Sequence, residues 1–195
     1  ISGGGIAGLT AAAAFGTAGF DVICVDPTPP VTDRDDLRAD MRSTAMLQPA
    51  RAVLEAAGLW ERLAPHASPL QVMRIVDAGG EMPEPRLIKD FNAADVSDLP
   101  FGWNLPNWLL RREMVARLSE LPNVDFRPGT GTTSLFTRLS EARVGLGDGT
   151  RVRARLVIAA DGRNSPMRQA AGIGVRTRRY GQKALAFAVT HPIPH

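Results

Sequence analysis

The chain opens on a glycine loop, Gly3-Gly4-Gly5-Ile6-Ala7-Gly8, in the pattern Gly-x-Gly-x-x-Gly. A run of small residues, Thr10 to Ala14, follows it. Next comes an apolar run, Val22-Ile23-Cys24-Val25, that ends in Asp26. Loop, helix and acid-terminated strand in this order are the layout of a dinucleotide-binding βαβ unit. The glycines allow a tight turn and a close approach of backbone to a pyrophosphate. The helix start then offers free N–H groups and a positive dipole end to the phosphates. Asp26, about 20 residues past the loop, is placed to accept hydrogen bonds from a ribose diol. This layout restricts the fold class to α/β with a parallel sheet.

Composition narrows the field further. Hydrophobic residues make up 44% of the 195, enough to build a core rather than a disordered chain. No apolar stretch approaches the ~20 residues of a membrane span. The glycine loop stands where a secretory leader would sit, so none is expected. Only Ile1 and Ser2 precede the loop, whereas a parallel strand needs about 5 residues, so the natural start is expected a few residues upstream. The single cysteine, Cys24, excludes an internal disulfide and fits a reducing compartment. Lying inside an apolar run, it is expected to be a buried structural thiol. The net charge is +3, and the arginines are scattered except at Arg176-Thr177-Arg178-Arg179. That cluster suits a solvated loop, or a surface meeting phosphate or anionic lipid, better than nucleic acid. His66, His191 and His195 have no metal-ligand spacing.

Periodicity and turn residues predict a helix over Ile6–Ala18 capped by Gly19 and a strand over Asp21–Asp26. A loop over Pro27–Asp40 and a helix over Ser43–Ala57 ended by Gly58 follow. A short amphipathic piece over Leu59–Leu63 leads to a strand at Val72–Val76 and a hairpin turn at Asp77–Gly80. A further helix spans Arg111–Leu121, with strand-like residues at Val124–Arg127. Glu141–Leu146 and Arg151–Ala154 form a hairpin about Gly147-Asp148-Gly149. A buried-type strand, Leu156–Ala160, then delivers Asp161-Gly162 to its carboxyl end. Ser165 and Pro166 suit the cap and first turn of another helix. In an open α/β sheet the carboxyl ends of the strands are where ligands sit. Asp161-Gly162 and the glycine loop are therefore expected on one sheet edge.

Taken in order, these motifs resemble those of the single-component flavin aromatic hydroxylases, and most of all the ubiquinone-biosynthesis hydroxylases of the UbiH/UbiF group. The matching residues begin with Gly3 to Gly8 and Asp26. They continue through Asp40-Met41-Arg42-Ser43-Thr44-Ala45 and Leu54-Glu55-x-x-Gly58-Leu59-Trp60. Asn107-x-x-x-Arg111-x-x-Met114, Ala160-Asp161-Gly162 and Tyr180-Gly181-Gln182-x-Ala184 complete them. The resemblance implies an α/β, Rossmann-like FAD-binding domain, a parallel sheet with helices and an antiparallel β-meander crossover. That domain would span residues 1–175, interrupted by substrate-domain strands around 70–106. Residues 176–195 would begin a second, β-rich substrate domain.

The resemblance also assigns roles. Gly3, Gly5, Ala7 and Gly8 match the loop on the FAD pyrophosphate, and Asp26 the acid on the adenosine ribose. Arg42 matches an arginine near the pyrophosphate. Asn107 and Arg111 match polar positions beside the ribityl and pyrophosphate. Asp161 and Gly162 match a motif for FAD and NAD(P)H. The implied reaction is FAD-dependent hydroxylation of a phenolic ring, using NAD(P)H and O₂, on a hydrophobic substrate such as a prenylated ubiquinone precursor. The implied setting is cytoplasmic, compatible with a peripheral contact at the inner membrane and a ubiquinone-biosynthesis protein complex, without nucleic acid. No nucleophile–base pair is needed, and none is seen. The family's third flavin motif, a Gly-Asp segment, has no counterpart in these residues. The alternatives are a nicotinamide-dependent dehydrogenase on the same βαβ unit, a prenyl-reductase-like flavoenzyme, or a non-catalytic FAD-binding piece.

Overall fold

In the computed structural model, residues 1–81 and 84–183 are described, together with Leu185, Val189 and Pro192. The chain runs α1 (Ile6–Thr17), β1 (Val22–Asp26), β2 (Ser43–Leu47), α2 (Gln48–Ala56), α3 (Trp60–Leu63), β3 (Ser68–Pro69), β4 (Val72–Gly79) and β5 (Glu84–Asn92). It continues through β6 (Gly102–Pro106), α4 (Asn107–Ser119), β7 (Val124–Pro128), β8 (Thr132–Thr137), β9 (Ala142–Leu146), β10 (Arg151–Ala154) and α5 (Pro166–Ala170).

The centre is a parallel layer. β1 pairs with β7 in register Val22↔Val124 to Asp26↔Pro128. On its other side, Ser2 bridges in parallel to Val25 and to Ala159. The carboxyl ends of all four segments therefore share one edge, carrying Gly3, Asp26, Pro128 and Asp161. The alternation of β1 splits the core in two, as a strand's period of 2 requires. Val22 and Cys24 face α1, α2 and α4, where Leu9, Leu54, Leu110 and Met114 are fully buried. Ile23 and Val25 face the antiparallel meander β8–β9–β10, packing with Val144 and Leu146. α1 is rich in alanine because it lies close between sheet and helices. A Cβ at Gly16 would strike the Val124 side chain and come within 3.0 Å of Leu121.

Arg117 of α4 ties the far ends of the helices. Its guanidinium donates to the Ala57 carbonyl (3.2 Å) and the Thr17 hydroxyl (3.1 Å), and pairs with Glu120 (3.2 Å). A cation there meets the partial negative charge of helix C-termini.

Four expectations need correction. The helix expected over Ser43–Ala57 is a strand, β2, followed by α2 from Gln48. Pro49 cannot sit inside a helix but fits the first turn, so the helix starts there. The preceding residues pair antiparallel with β6, Thr44 opposite Leu105. The expected turn at Asp77–Gly80 is mostly strand: β4 runs to Gly79, with a bulge between Asp77 and Ala78. α4 starts at Asn107, a turn earlier than Arg111. Leu156–Ala160 is not a buried strand. It touches the layer through the Ala159 bridge, and Leu156 is 63% exposed. The segment's backbone bonds to the layer, Ser2 N–H to the Ile158 carbonyl (2.9 Å) and Ala160 N–H to the Ser2 carbonyl (2.7 Å), tie only its last residues.

The α/β class, the parallel layer and the meander stand as expected. β4 and β5 form a separate two-stranded ribbon. Both faces are exposed: one carries Met73, Ile75, Leu87 and Phe91, the other Val72, Val76 and Ile88 beside the Arg74–Asp90 ion pair (2.7 Å). Residues 176–181 are exposed coil, with the Arg178 guanidinium over the Tyr180 ring (5.6 Å). Ala184, His191, His195 and most of the strand expected over 184–190 lie outside the described residues. No helix among the described residues is long and apolar enough to cross a membrane.

Candidate functional site

The glycine loop leaves the sheet at Gly3, whose N–H donates to the Val25 carbonyl (2.8 Å). Gly3 has φ +108, a conformation that side chains avoid. A Cβ on it would also run into the Ala160 carbonyl. This contact brings the loop against the Ala160-Asp161 turn, the convergence expected from sequence. Gly8 lies against Gly3 in the same way: a Cβ on it would strike the Gly3 carbonyl. The first and third glycines therefore hold helix, loop and neighbouring turn together.

Gly5 is different. A Cβ on it would meet nothing within 4 Å. Gly5 caps α1 with extended backbone and no side-chain hydrogen bond, and the first turn holds no acid. The first helical bond is Leu9 N–H to the Gly5 carbonyl (2.9 Å), so the N–H groups of Ile6, Ala7 and Gly8 lack helical partners. Ala7 is exposed. The result is an open cradle of N–H donors at a positive dipole end, suited to an anion.

Asp26 closes β1 beside this cradle. Its carboxylate accepts from Gly4 N–H (2.6 Å) and Thr28 N–H (2.7 Å), which fixes it against the loop. Below the loop, Cys24 is fully buried, its thiol 3.8 Å from the Gly3 carbonyl, and burial pushes its pKa up to about 11. The expectation of a structural thiol fits this environment.

Asp161 and Gly162 stand at the next carboxyl end. One Asp161 oxygen accepts from Met167 N–H (2.9 Å), while the other is buried with no partner among the described residues. A buried carboxylate oxygen left unpaired is costly. A ligand hydroxyl would satisfy it. Gly162 has φ +87, and Ser165 caps α5 by accepting from Arg168 N–H (2.9 Å) with Pro166 in the first turn.

The third part of the site is built on α4. The Thr10 hydroxyl lies 3.8 Å from the Met114 sulfur, and Gly16 packs on Leu121. Both numbers rise together, so α1 and α4 run in the same direction. Stepping back one turn from each member of the first pair reaches Ile6 and Leu110. The start of α4 is thus level with the glycine loop. Here Asp40 gathers the remaining predicted residues. Arg42 grips it with Nε and Nη2 (2.8 Å each), the Asn107 amide donates to it (2.9 Å), and Arg111 Nη2 lies 3.6 Å away. The Asn107 carbonyl oxygen in turn accepts from the Thr44 hydroxyl (2.6 Å). The Arg42 and Asn107 hydrogen bonds hold the Asp40 carboxyl well below the usual carboxylate range.

Every residue singled out from sequence thus falls into one of three neighbouring groups: the cradle with Asp26, the Asp161-Gly162 turn, and the cluster about Asp40. Asp40 and Thr44 were not singled out as site residues. Asp40 lies within a motif of the resemblance, yet its role depends on Asn107, which is far away in sequence.

The donor set fits FAD in kind. A glycine cradle a Cβ would fill and two guanidiniums suit phosphates; Asp26 and the orphaned Asp161 oxygen suit hydroxyls.

The family described as FAD binding domain matches residues 1–192. The chain is 35% identical over 198 residues to the ubiquinone hydroxylase UbiL of Rhodospirillum rubrum, covering 100% of this chain and 44% of that protein. It is 29% identical over 189 residues to the 3-demethoxyubiquinol 3-hydroxylase of Escherichia coli, covering 97% of this chain and 47% of that one. Among solved structures, Pseudomonas aeruginosa PqsL in complex with 2-aminobenzoylacetate is 25% identical with a TM-score of 0.71, covering 91% of this chain and 46% of PqsL. The chain spans less than half the length of these relatives.

Proposed function

Since this chain belongs to the FAD binding domain family, we propose that it forms the flavin-binding part of a monooxygenase. The reaction is hydroxylation of a phenolic ring with NAD(P)H and O₂, on a prenylated ubiquinone precursor. The structural observation that carries the flavin reading is the shared edge. The open Gly5 cradle and the orphaned Asp161 oxygen lie on either side of one loop contact. The printed names of the relatives, ubiquinone hydroxylase and 3-demethoxyubiquinol 3-hydroxylase, support the substrate class.

Bound FAD would take electrons from NAD(P)H and use them to activate O₂. In this reading the N–H groups of Gly5, Ile6, Ala7 and Gly8 hold the pyrophosphate. Gly3 and Gly8 keep the backbone close enough to do so. Asp26 accepts from the adenosine ribose. Arg42, Asn107 and Arg111 flank the phosphates and the ribityl chain. Asp161 accepts a hydroxyl of the cofactor, and Gly162 lets the backbone turn beside it and toward NAD(P)H. No side chain of this set need act as a nucleophile. The exposed apolar residues of the β4–β5 ribbon support a division of labour. Residues 1–175 form the FAD-binding domain, strands around 70–106 belong to a substrate layer, and residues 176–195 begin the rest of it. A cytoplasmic setting, peripheral contact with a membrane face and association with other ubiquinone-biosynthesis proteins belong to the same proposal.

Two experiments test it. Purified protein should show the visible absorption bands of a flavin, or gain them on reconstitution. NAD(P)H oxidation should then be tightly coupled to hydroxylation with a prenylated phenol. Tight coupling only with small water-soluble phenols would move the substrate to another branch of the family, and no flavin uptake would remove the function. The second is Asp26→Ala. A carboxylate bonded to a ribose diol makes charged hydrogen bonds worth ~1.5–3 kcal/mol each, so FAD affinity should fall about 10- to 100-fold for each bond lost. Gly4 and Thr28 N–H also lose their acceptor, so the apo-protein should melt somewhat lower. Equal FAD affinity in a folded variant would remove Asp26 from the site.

A further inference from the structure

We propose that Asp40 is a positioning residue of the phosphate-binding face: it sets Arg42, Asn107 and Arg111 in place before the cofactor arrives. The proposal rests on the FAD reading above. Asp40 lies at the end of the long loop after β1, touching neither the glycine loop nor the orphaned Asp161 oxygen. Its carboxylate nevertheless accepts from Arg42 and Asn107 and forms an ion pair with Arg111 at 3.6 Å, so all three groups expected at the cofactor face meet it. The Arg42 side chain is 66% exposed while the Asp40 side chain is only 13% exposed, so an exposed cation stands on a shielded anchor. One carboxylate faces two guanidiniums, −1 against +2, and the cluster keeps a net charge of +1 for an anion.

Within this loop the local pattern occurs twice, and the comparison isolates what is special. Asp36 and Arg38 form the same two-pronged pair, at 3.0 and 2.7 Å, in the same loop. Among the described residues that pair has no hydrogen bond to any distant element. Asp40 instead reaches Asn107 on α4, 67 positions away in sequence, and through it Thr44 on β2. The bond from Thr44 occupies the Asn107 oxygen, so its amide nitrogen must point to Asp40. An arginine free in solvent has much rotamer freedom to lose on meeting a phosphate, and an anchored one has less. Asp40 is therefore expected to aid phosphate binding by prior ordering, despite its own negative charge.

Asp40→Asn keeps the shape and removes the charge. FAD binding to the flavin-stripped protein, followed by quenching of flavin fluorescence, should weaken about 10- to 100-fold, as for loss of a charge-assisted hydrogen-bond pair. Riboflavin, which lacks phosphates, should bind as before. In an Arg42→Ala background the same change should cost much less, since the two residues act together. Asp36→Asn should leave FAD affinity unchanged. Equal or tighter FAD binding by Asp40→Asn, or an equal loss for riboflavin, would overturn the proposal; wild-type protein that binds no FAD would instead overturn the flavin reading beneath it. If Asp40→Asn does not fold, Thr44→Val tests the same chain of bonds through Asn107. It should weaken FAD several-fold, and unchanged affinity would count against the role.

Discussion

Gly8→Ala should leave the protein without a native state. The added methyl would collide with the Gly3 carbonyl oxygen and sit 3.3 Å from the Ala160 side chain. Neither neighbour can yield cheaply. Gly3 is pinned by its N–H bond to Val25, and Ala160 N–H donates to Ser2 (2.7 Å) in the same layer. The alternative is to push α1 off the sheet, which opens the core around Leu9, Ala12 and Ala13, all fully buried. Overpacking a well-filled core costs typically ~1–3 kcal/mol when side chains can adjust. Here the obstacle is main chain, so the cost should exceed that range. Domains have only about 5–15 kcal/mol in total. The expected result is insoluble protein, or soluble protein with no cooperative thermal transition by circular dichroism. A melting temperature within a few degrees of wild type would show that α1 does not sit on the loop as described.

The loop's role in the fold was legible because its constraint is local. Glycine spacing states where backbone must cross backbone, and Gly3 and Gly8 meet Ala160 and each other as that spacing implies. The β9–β10 hairpin was legible for the same reason: Gly149 has φ +84 and the Asp148 side chain accepts from Thr150 N–H, a turn written in three residues. Ser165 at the cap of α5 is a third case. The strand β2 was not legible as such. Ser43–Leu47 gains its conformation from β6, and no residue in the segment itself announces that partner. Pro49 gave the only local warning that a helix could not run through from Ser43. β8 was missed because Thr132, Thr133 and Ser134 lack the apolar alternation that marks a strand, and its pairing with β9 supplies what the side chains do not.

Asp40 marks the limit within the site. Asp36-x-Arg38 and Asp40-x-Arg42 read alike, and both fold into the same local ion pair. Arg38 hydrogen bonds bring the Asp36 carboxyl down to about 2, yet that pair joins no other element. What separates them is the arrival of Asn107, which is a matter of how α4 packs on α1. Motif matching names Arg42, Asn107 and Arg111 one by one, but that a single carboxylate gathers them depends on contacts between residues 67 or more positions apart.

Gly5→Ala should do the opposite of Gly8→Ala: it should fold normally and lose the flavin. Gly5 has φ −73 and ψ 178, backbone that alanine adopts without strain. Its Cβ would enter open space. Alanine is a poorer helix cap than glycine, by ~1 kcal/mol or less. It also restricts the unfolded chain, which returns ~0.4–1 kcal/mol. The two effects nearly cancel, so apo-protein melting should stay close to wild type. The open space, however, is the space a pyrophosphate must enter to reach the N–H groups of α1. A methyl there holds the phosphate oxygens beyond the ~3.2 Å limit of an N–H···O bond. Losing two or more charged hydrogen bonds at ~1.5–3 kcal/mol each should weaken FAD on the order of a thousandfold or more. Flavin content per mole of purified protein, read with the apo-protein melting curve, checks both halves. Normal melting with full flavin content would mean that the pyrophosphate does not lie at Gly5. Lost folding would mean that the space beside Gly5 is filled by the protein itself.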